Sequence, residues 1–224
     1  MSRRRVYSEE FAAVMNRFFE ALDVYVKTII KPVIFLTWEE LMRVYNYDFV
    51  PGSEIDRARD FFCFCCFTSL RYSDAAALRP EQIINDKISL STIKTDQPLL
   101  IKLNKYSKSI LEKYKGKYAT VLPSVTNNRL NHLIKEIGEK AGINQQIVFS
   151  QYYGSNKVEV NEPKYKLLTT HCGRRTFICN ALALGISPIT VMKWTGHSEY
   201  SAMKPYIDVA DPIREEAMTR FNER

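Results

Sequence analysis

The chain has 224 residues, 46% of them hydrophobic, so it can bury a substantial core as one domain with at most a short additional segment. Its 32 Lys and Arg residues outnumber its 25 Asp and Glu residues, and the resulting net charge of +7 has the sign expected of a protein that binds a polyanion. No apolar stretch reaches the ~20 residues of a membrane span, and polar residues follow the N-terminal Ser-Arg-Arg-Arg, so we expect a soluble, unexported protein.

The N-terminal third of the chain predicts three successive helices. Residues 8–30 place apolar side chains at three- and four-residue spacing, as on one face of a helix, and Pro32 ends the pattern. Thr37, with Glu40 three residues later, forms a capping box that predicts the start of a second helix. Residues 55–70 are largely apolar and predict the central core helix.

Cysteine usage indicates a reducing compartment. The chain has five cysteines, an odd number, and three of them lie within the apolar run 61–67. Cys63 and Cys66 have the C-x-x-C spacing that zinc sites use, but the sequence contains no second ligand pair of matching spacing. We therefore expect thiols that pack as small hydrophobic residues, and neither a metal nor another cofactor.

Strand character replaces the helical pattern between residues 87 and 103. Two β-prone runs flank the polar segment 95–98, which predicts a β-hairpin with Lys94 at its tip. Further helices are predicted over 105–115, 124–141, 174–184, 187–194 and 211–222. The segment 150–168 contains Gly, Asn and Lys, and it is predicted to be less regular than the helices around it. The expected fold class is mainly α with one small antiparallel β-sheet, an α+β architecture.

Four short stretches and one tyrosine stand out in chain order. They are Thr-Ser-Leu-Arg-Tyr-Ser-Asp at 68–74, Ser-Thr-Ile-Lys-Thr at 91–95, His-Cys-Gly-Arg-Arg-Thr-Phe at 171–177 and Gly-His-Ser at 196–198, with Tyr206 nine residues after His197. In this order they resemble the tyrosine recombinase (phage integrase) family, whose pattern is Arg, a hairpin Lys, H-x-x-R, G-H and a nucleophilic Tyr. The resemblance covers about residues 33–215. The stretch Lys-Trp-Thr-Gly-His-Ser, followed by Met-Lys-Pro-Tyr, is similar to that of integrases from Bacteroidetes mobile elements.

The resemblance implies the integrase catalytic-domain fold and a site-specific recombinase or integrase. Such an enzyme cleaves and rejoins double-stranded DNA through a 3′-phosphotyrosyl intermediate, with neither metal nor ATP. Tyr206 would be the nucleophile, and Arg71 and Arg174 would hold the phosphate oxygens, for which a guanidinium fork is well suited. His171 would accept the phenol proton, and Lys94 would protonate the leaving 5′ oxygen as general acid.

Three further residues take supporting roles under the same resemblance. His197 looks like the family residue that hydrogen-bonds a non-bridging phosphate oxygen. Asp74, three residues after Arg71, looks like the acidic residue that orients its neighbours. Arg175 would either contact a flanking DNA phosphate or be a solvated helix residue, and the sequence supports both interpretations equally.

Several of these residues also have an ordinary structural interpretation. Arg71 alone would suit the C-terminus of the preceding helix, where a cation interacts well with the helix dipole. Lys94 alone could be a solvated lysine at a hairpin tip. Tyr200 competes with Tyr206 as the nucleophile, but the nine-residue offset from His197 matches the family pattern only at Tyr206. The ordered set of motifs favours the catalytic interpretation of each.

The sequence departs from the family pattern at three positions. Gly173 stands where Leu is typical, and Arg175 stands where a second His often follows the catalytic Arg. Thr195 replaces the Leu that commonly precedes Gly-His. None of these departures removes a reacting group.

The resemblance also predicts the domain organisation and the assembly. Residues 1–32 are expected to be the end of a core-binding domain or a linker helix, and residues 33–224 the catalytic domain. Since full-length integrases carry domains ahead of the catalytic one, we expect a fragment that binds DNA weakly and recombines poorly alone. The isolated domain would be a monomer and the DNA-bound form a homotetramer, with the helix 211–222 packed on its own or a neighbouring subunit. The protein would be bacterial or phage-encoded and cytoplasmic.

Two other functions remain open on the sequence alone. A type IB topoisomerase shares the chemistry but relaxes DNA as a monomer, so an assay of supercoil relaxation distinguishes it from a recombinase. A non-catalytic DNA-binding module could keep the fold without the reaction, although the intact set of reacting residues counts against that function.

Overall fold

The computed structural model describes three stretches of the chain: residues 32–94, 96–153 and 156–210. The helices predicted over 8–30 and 211–222 lie outside these stretches. The chain divides into two compact units, of which the larger comprises Val33–Gln146 and the described residues from Pro163 onward. The smaller contains the hairpin residues Ile147–Glu162. The predicted assignment of residues to a linker and a catalytic domain stays a prediction.

Helices dominate the larger unit. Its described α-helices are α1 (Trp38–Tyr45), α2 (Glu54–Thr68), α3 (Tyr72–Ala77), α4 (Lys105–Tyr114), α5 (Asn127–Lys140), α6 (Thr170–Ala183), α7 (Pro188–Thr195) and α8 (Lys204–Ala210). Short 3₁₀ helices lie at Pro80–Gln82, Lys164–Leu167 and Tyr200–Met203. Among the described helices, none combines the length and the apolar character that crossing a membrane would require.

A three-stranded antiparallel sheet completes the larger unit. Its strands are β1 (Ile83–Ile84), β2 (Lys87–Ser91) and β3 (Pro98–Lys102), paired in that order. Ile88 pairs with Ile101, and both side chains are buried, whereas Leu100 on the opposite face is exposed. Lys94 lies in the turn between β2 and β3. The hairpin predicted over residues 87–103 is therefore confirmed.

The structure contains elements that the sequence pattern did not predict. Strands β4 (Gln146–Tyr153) and β5 (Asn156–Pro163) pair in a second, two-stranded sheet, so the prediction of one sheet and of a loose segment at 150–168 was wrong. In β5 the alternation of Val158 and Val160 with polar residues is a weak period-two signal that Asn and Lys obscure. Helices α3 and α8 were also missed, because six or seven residues show too little periodicity.

Helix α2 forms the centre of the core. From residue 58 to residue 68 all its side chains are buried, including Phe61, Phe62 and Phe64, as the apolar run predicted. All five cysteines are buried and unbridged, three of them on α2 and two on α6. Burial raises the pKa of Cys65 to about 12, so this thiol stays protonated. The cysteines therefore pack as small hydrophobic residues, as expected.

Gly173 allows α6 to approach α2 closely. A Cβ atom at Gly173 would lie 3.0 Å from the Cβ of Cys65 and 3.5 Å from the backbone of Cys65 and Cys66. Because interiors are close-packed, a larger side chain here would push the two helices apart. The first departure from the family pattern is thus explained by packing between the core helix and the helix that carries Arg174.

We expect Gly173→Leu to destabilise the protein by roughly 1–3 kcal/mol or more, because it overpacks a contact between buried helices. The measurement is urea unfolding followed by circular dichroism. Arg175→Leu, which adds a leucine to the same helix at a half-buried position, is the control and should shift the urea midpoint much less. A midpoint for Gly173→Leu equal to that of the wild type would contradict the packing argument.

Candidate active site

Arg71 is placed by a sharp turn at the end of the core helix. Ser69 is the C-cap residue of helix α2. It has a left-handed backbone (φ 64°) and donates its N–H to the carbonyl of Cys65 at 2.9 Å. Two residues later Arg71 has an extended backbone, and α3 begins at Tyr72. Ser69 therefore caps the preceding helix, and Arg71 stands at the start of the next one.

Asp74 connects Arg71 with the hairpin that carries Lys94. The buried carboxylate accepts the backbone N–H of Ile93 at Oδ1, at 2.9 Å, and Ile93 directly precedes Lys94. Its other oxygen, Oδ2, lies 4.0 Å from Nη1 of Arg71. Within the described part of the chain, neither this oxygen nor Arg71 Nη1 has a hydrogen-bond partner. Arg71 thus keeps a donor available beside the hairpin turn.

We expect Asp74→Ala to speed up amide hydrogen exchange at Ile93, because the N–H of Ile93 then loses its acceptor. Asp74→Asn keeps a carbonyl oxygen for this N–H, so its rate of exchange should stay close to that of the wild type. Equal rates of exchange in both variants would show that Asp74 does not anchor the hairpin turn.

Helix α6 begins earlier than predicted. The predicted start was residue 174, but Thr169 already has the extended backbone of an N-cap residue. Its N–H donates to Sγ of Cys172 at 3.3 Å, where a capping box usually has Glu or Gln, so the sequence pattern missed this helix start. His171 and Arg174 consequently lie on one helix, three residues apart and on the same face.

Backbone carbonyls hold Arg174 in place. The residue is only 2% exposed, and its Nη1 donates to the carbonyl of Ser69 at 3.2 Å. Its Nη2 donates to the carbonyl of Thr195 and lies 3.3 Å from Nε2 of His197. Burial, and to a lesser degree the charge of Arg71, lowers the pKa of Arg174 to about 10. The guanidinium therefore stays protonated at neutral pH and is oriented before any ligand binds.

An open cavity of about 280 Å³ lies over these side chains. Its lining residues are Arg71, Tyr72, Ser73, Asn127, Thr170, His171 and Arg174. His171 is exposed by surface area, but partial desolvation of its ring and the positive charges of Arg175, Arg174 and Arg71 lower its pKa to about 4, so its imidazole is neutral at neutral pH. The cavity thus combines two guanidinium groups, which suit phosphate oxygens, with a base that can accept a proton.

Gly196 sets the position of His197. The residue follows α7 with a left-handed backbone (φ 65°), and the N–H of His197 donates to the carbonyl of Met192 at 3.2 Å. A Cβ atom at Gly196 would lie 3.0 Å from Cδ2 of Leu99 on β3. The backbone conformation and the close approach to the hairpin both favour glycine here. This turn fixes the backbone from which the His197 ring extends.

Tyr206 and Tyr200 have different environments. Tyr206 lies on α8 and is half-buried. It packs against an apolar cluster formed by Ile178, Ala181, Leu182, Val191, Met203 and Ala210. The charge state of Tyr206 affects the pKa of Arg174, so the phenol lies within electrostatic range of that guanidinium. Tyr200 is 57% exposed in the preceding 3₁₀ helix. The structure thus packs Tyr206 near Arg174 and leaves Tyr200 largely in solvent.

Comparisons with solved structures identify the fold. A lambda integrase dimer bound to a COC′ core site matches with a TM-score of 0.56 at 16% identity, over 77% of this chain and 58% of that chain. XerA recombinase matches with a TM-score of 0.57 at 16% identity, over 97% and 78% of the two chains. XerH site-specific recombinase bound to a palindromic difH substrate matches with a TM-score of 0.59 at 16% identity, over 86% and 54%. The chain has the catalytic-domain fold of the tyrosine recombinases.

The expected fold class is therefore confirmed. The tyrosine recombinase fold is recognised here by structure, since no protein-family model matches the sequence and no curated protein is significantly similar to it. This chain spans a little over half the length of the matched lambda integrase and XerH chains.

Within this tyrosine recombinase fold, Lys94 and Arg175 do not line the cavity, but their charges act on His171, which does. Lys94 is exposed in the hairpin turn, and its charge contributes to lowering the pKa of His171. Arg175 is half-buried and lowers the pKa of His171 more than Arg174 does. Both residues therefore lie within electrostatic range of the cavity.

Sequence reasoning missed four of the residues that line the cavity: Tyr72, Ser73, Asn127 and Thr170. Three of them, Tyr72, Ser73 and Thr170, lie within two residues of Arg71 or His171, and this closeness in sequence could have identified them. Asn127 had no such signal, because it reaches the cavity only through the packing of α5, where its Oδ1 accepts the hydroxyl of Thr170 at 3.0 Å. Thr195 was noted only as a departure from the family pattern, yet it contacts both Arg174 and His197.

Proposed function

We propose that this chain is the catalytic domain of a site-specific DNA recombinase, of the integrase kind, that forms a 3′-phosphotyrosyl intermediate at Tyr206. The observation that carries the proposal is the cavity that holds Arg71, Arg174 and neutral His171 within a tyrosine recombinase fold. The proposed substrate is double-stranded DNA, and the proposed setting is the cytoplasm of a bacterium, with the gene belonging to the bacterium or a phage.

Arg71 and Arg174 would bind the non-bridging oxygens of the scissile phosphate. The five-coordinate transition state carries more negative charge than the starting diester, so preorganised guanidinium groups stabilise it more than the ground state. The contacts of Arg174 with two backbone carbonyls support this role, because little reorganisation is then needed on binding. In the proposed site, His197 hydrogen-bonds a non-bridging oxygen, and Asp74 orients Arg71 and the hairpin turn.

Proton transfers would accompany the exchange of ester bonds. Oη of Tyr206 attacks the phosphorus and loses its proton to neutral His171. Lys94 gives its proton to the leaving 5′ oxygen, so that a hydroxyl departs. One P–O bond forms as another breaks, and the phosphotyrosyl link keeps the ester energy. The reverse reaction can therefore join a new 5′ end without ATP or a metal.

Charge and the DNA-bound relatives support DNA as the partner. The net charge of +7 favours a polyanion, and the lambda integrase and XerH structures hold those proteins on a COC′ core site and a difH substrate. We infer that the isolated domain is a monomer and that it reacts as a homotetramer on DNA. Arg175, on the same helix as Arg174, would contact a flanking phosphate.

The experiment is to trap the covalent intermediate on DNA of many sequences at once, so that the target site need not be specified. The protein is incubated with a library of nicked duplexes that carry a randomised core, so that cleavage releases a short strand and cannot be reversed. Complexes that survive denaturant are isolated, their DNA is sequenced, and the peptide attached to DNA is identified by mass spectrometry. A phosphotyrosyl peptide that contains Tyr206 is the expected result.

Three other outcomes would contradict the proposal. Attachment through another residue would overturn the nucleophile. No attachment despite measured DNA binding would favour a non-catalytic binding module. Efficient relaxation of supercoiled plasmids that lack the captured sequence would favour a topoisomerase, whereas a recombinase should cleave only DNA that carries the captured sequence.

A further inference from the structure

Thr195 contacts the two side chains at the centre of the proposed site. The residue is fully buried at the C-terminal end of α7, and its Oγ1 lies 2.8 Å from Nδ1 of His197 and 2.9 Å from the carbonyl of Val191. Its own carbonyl accepts a hydrogen bond from Nη2 of Arg174. Thr195 therefore joins the end of the helix, the imidazole and the guanidinium.

The donors and acceptors around His197 fit one tautomer. Nη2 of Arg174, 3.3 Å from Nε2, can only donate, because a guanidinium has no acceptor. Nε2 must then be unprotonated, and a neutral ring carries its proton on Nδ1. Nδ1–H donates to Oγ1 of Thr195, whose single hydrogen goes to the carbonyl of Val191. The other tautomer would place two donors against each other at Nε2.

The ring of His197 is neutral at neutral pH. Burial, together with the positive charges of Arg174 and Arg71 and the nearby imidazole of His171, lowers its pKa to about 4. A neutral imidazole carries one ring proton, and both neighbours favour that proton on Nδ1, because Arg174 donates at Nε2 and the hydroxyl of Thr195 accepts at Nδ1.

We propose that Thr195 is a positioning residue that holds His197 in the Nδ1–H tautomer, so that the lone pair on Nε2 orients the guanidinium of Arg174. Leucine, which is typical at this position, has no side-chain acceptor for Nδ1–H. The replacement of leucine by Thr195 therefore supplies the acceptor that holds the tautomer. When the negatively charged phosphate enters, Nε2 takes up a proton from the solvent, and the resulting imidazolium donates from Nε2 to a phosphate oxygen while Nδ1–H still donates to Thr195. Only this catalytic consequence rests on the proposed function, since the tautomer is a property of the free protein.

Nitrogen NMR of the free protein tests the tautomer directly. The chain has only three histidines, so ¹⁵N-histidine labelling gives few ring signals, which substitutions of each histidine by Gln assign. At pH 7 the wild type should show Nε2 of His197 in the range of an unprotonated nitrogen and Nδ1 in that of a protonated one. A wild-type spectrum with the proton on Nε2 overturns the inference, whatever the variants do.

Thr195→Val isolates the hydroxyl, because it keeps the shape and the backbone carbonyl that binds Arg174. We expect its His197 ring signals to move toward a mixture of tautomers, with those of His132 unchanged, and Thr195→Ser to restore the wild-type signals. Thr190→Val is the matched control on the same helix, because the Thr190 hydroxyl contacts Ser187. An unchanged His197 spectrum in folded Thr195→Val overturns the inference, and so does a Ser variant that fails to restore it.

Cleavage of captured DNA separates this inference from the proposed function. Thr195→Val should slow single-turnover cleavage roughly 10-fold, the effect of one lost hydrogen bond at a buried site, and Thr195→Ser should recover most of the rate. A wild type that shows the expected tautomer but never cleaves DNA refutes the proposed function and leaves the tautomer assignment intact. Equal cleavage by wild type and Thr195→Val overturns the positioning role.

Discussion

Tyr206→Phe is expected to abolish covalent attachment to DNA, lowering single-turnover cleavage by at least ~10⁴-fold, the scale seen when a nucleophile is removed. The substitution deletes only Oη. The ring of Tyr206 is half-buried against the apolar cluster of α6, α7 and α8, and phenylalanine keeps that packing. Stability and DNA affinity should therefore stay close to those of the wild type, as measured by thermal unfolding and fluorescence anisotropy.

Tyr200→Phe is the matched control for this prediction. Tyr200 is 57% exposed and lies six residues before Tyr206, so loss of its hydroxyl should change the cleavage rate by no more than about twofold. A loss of cleavage in Tyr200→Phe with normal cleavage in Tyr206→Phe would show that our proposal assigns the nucleophile to the wrong residue. Loss in both variants would point to damage of the local fold rather than of the chemistry.

The site residues that the sequence identified share one property: the role that we propose for each follows from its chemical type and its order along the chain. Arg71, His171 and Arg174 were named from motifs, and the structure places all three around one cavity. Chain order was enough because the family pattern already encodes which segments meet. The hairpin of Lys94 was found for a different reason, since alternation of apolar residues predicts strands directly.

The residues that the sequence missed depend on tertiary packing. Asn127 enters the cavity because α5 packs beside the start of α6, and nothing near residue 127 indicates that contact. The sequence shows Thr195 only as a replacement of leucine, because its contact with Nδ1 of His197 depends on how the chain turns after α7. The second hairpin, over 146–163, was missed because its polar second strand carries a weak pattern. Contacts between distant segments thus account for most of what the motifs did not predict.

Ser69 shows how the fold couples these segments. Its left-handed backbone ends α2, its carbonyl accepts from Arg174, and its hydroxyl donates to the carbonyl of Trp194 at 3.1 Å. The turn that presents Arg71 is therefore bonded both to the helix of Arg174 and to the end of α7 beside Thr195. The backbone turn before Arg71 and the guanidinium of Arg174 thus belong to one connected set of hydrogen bonds, so a change in one segment should affect both.

Arg174→Lys is expected to lower the cleavage rate about 10²–10³-fold, because it removes a preorganised donor of the transition state. A single ammonium cannot span the carbonyls of Ser69 and Thr195 while it also faces His197 and a phosphate. At least one buried carbonyl would lose its partner, at a cost of about 1–3 kcal/mol in the free energy of unfolding. Single-turnover cleavage and urea unfolding measure the two effects separately.

Arg175→Lys, one residue further along the same helix, is the control that keeps the charge balance identical. Arg175 is half-buried, and we propose a flanking phosphate contact for it, so lysine should preserve both the salt dependence of DNA binding and most of the cleavage rate. If Arg174→Lys cleaved DNA within tenfold of the wild type, a positive charge alone would suffice. The network of Ser69, Thr195 and His197 around the guanidinium would then serve the stability of the fold and not the chemistry.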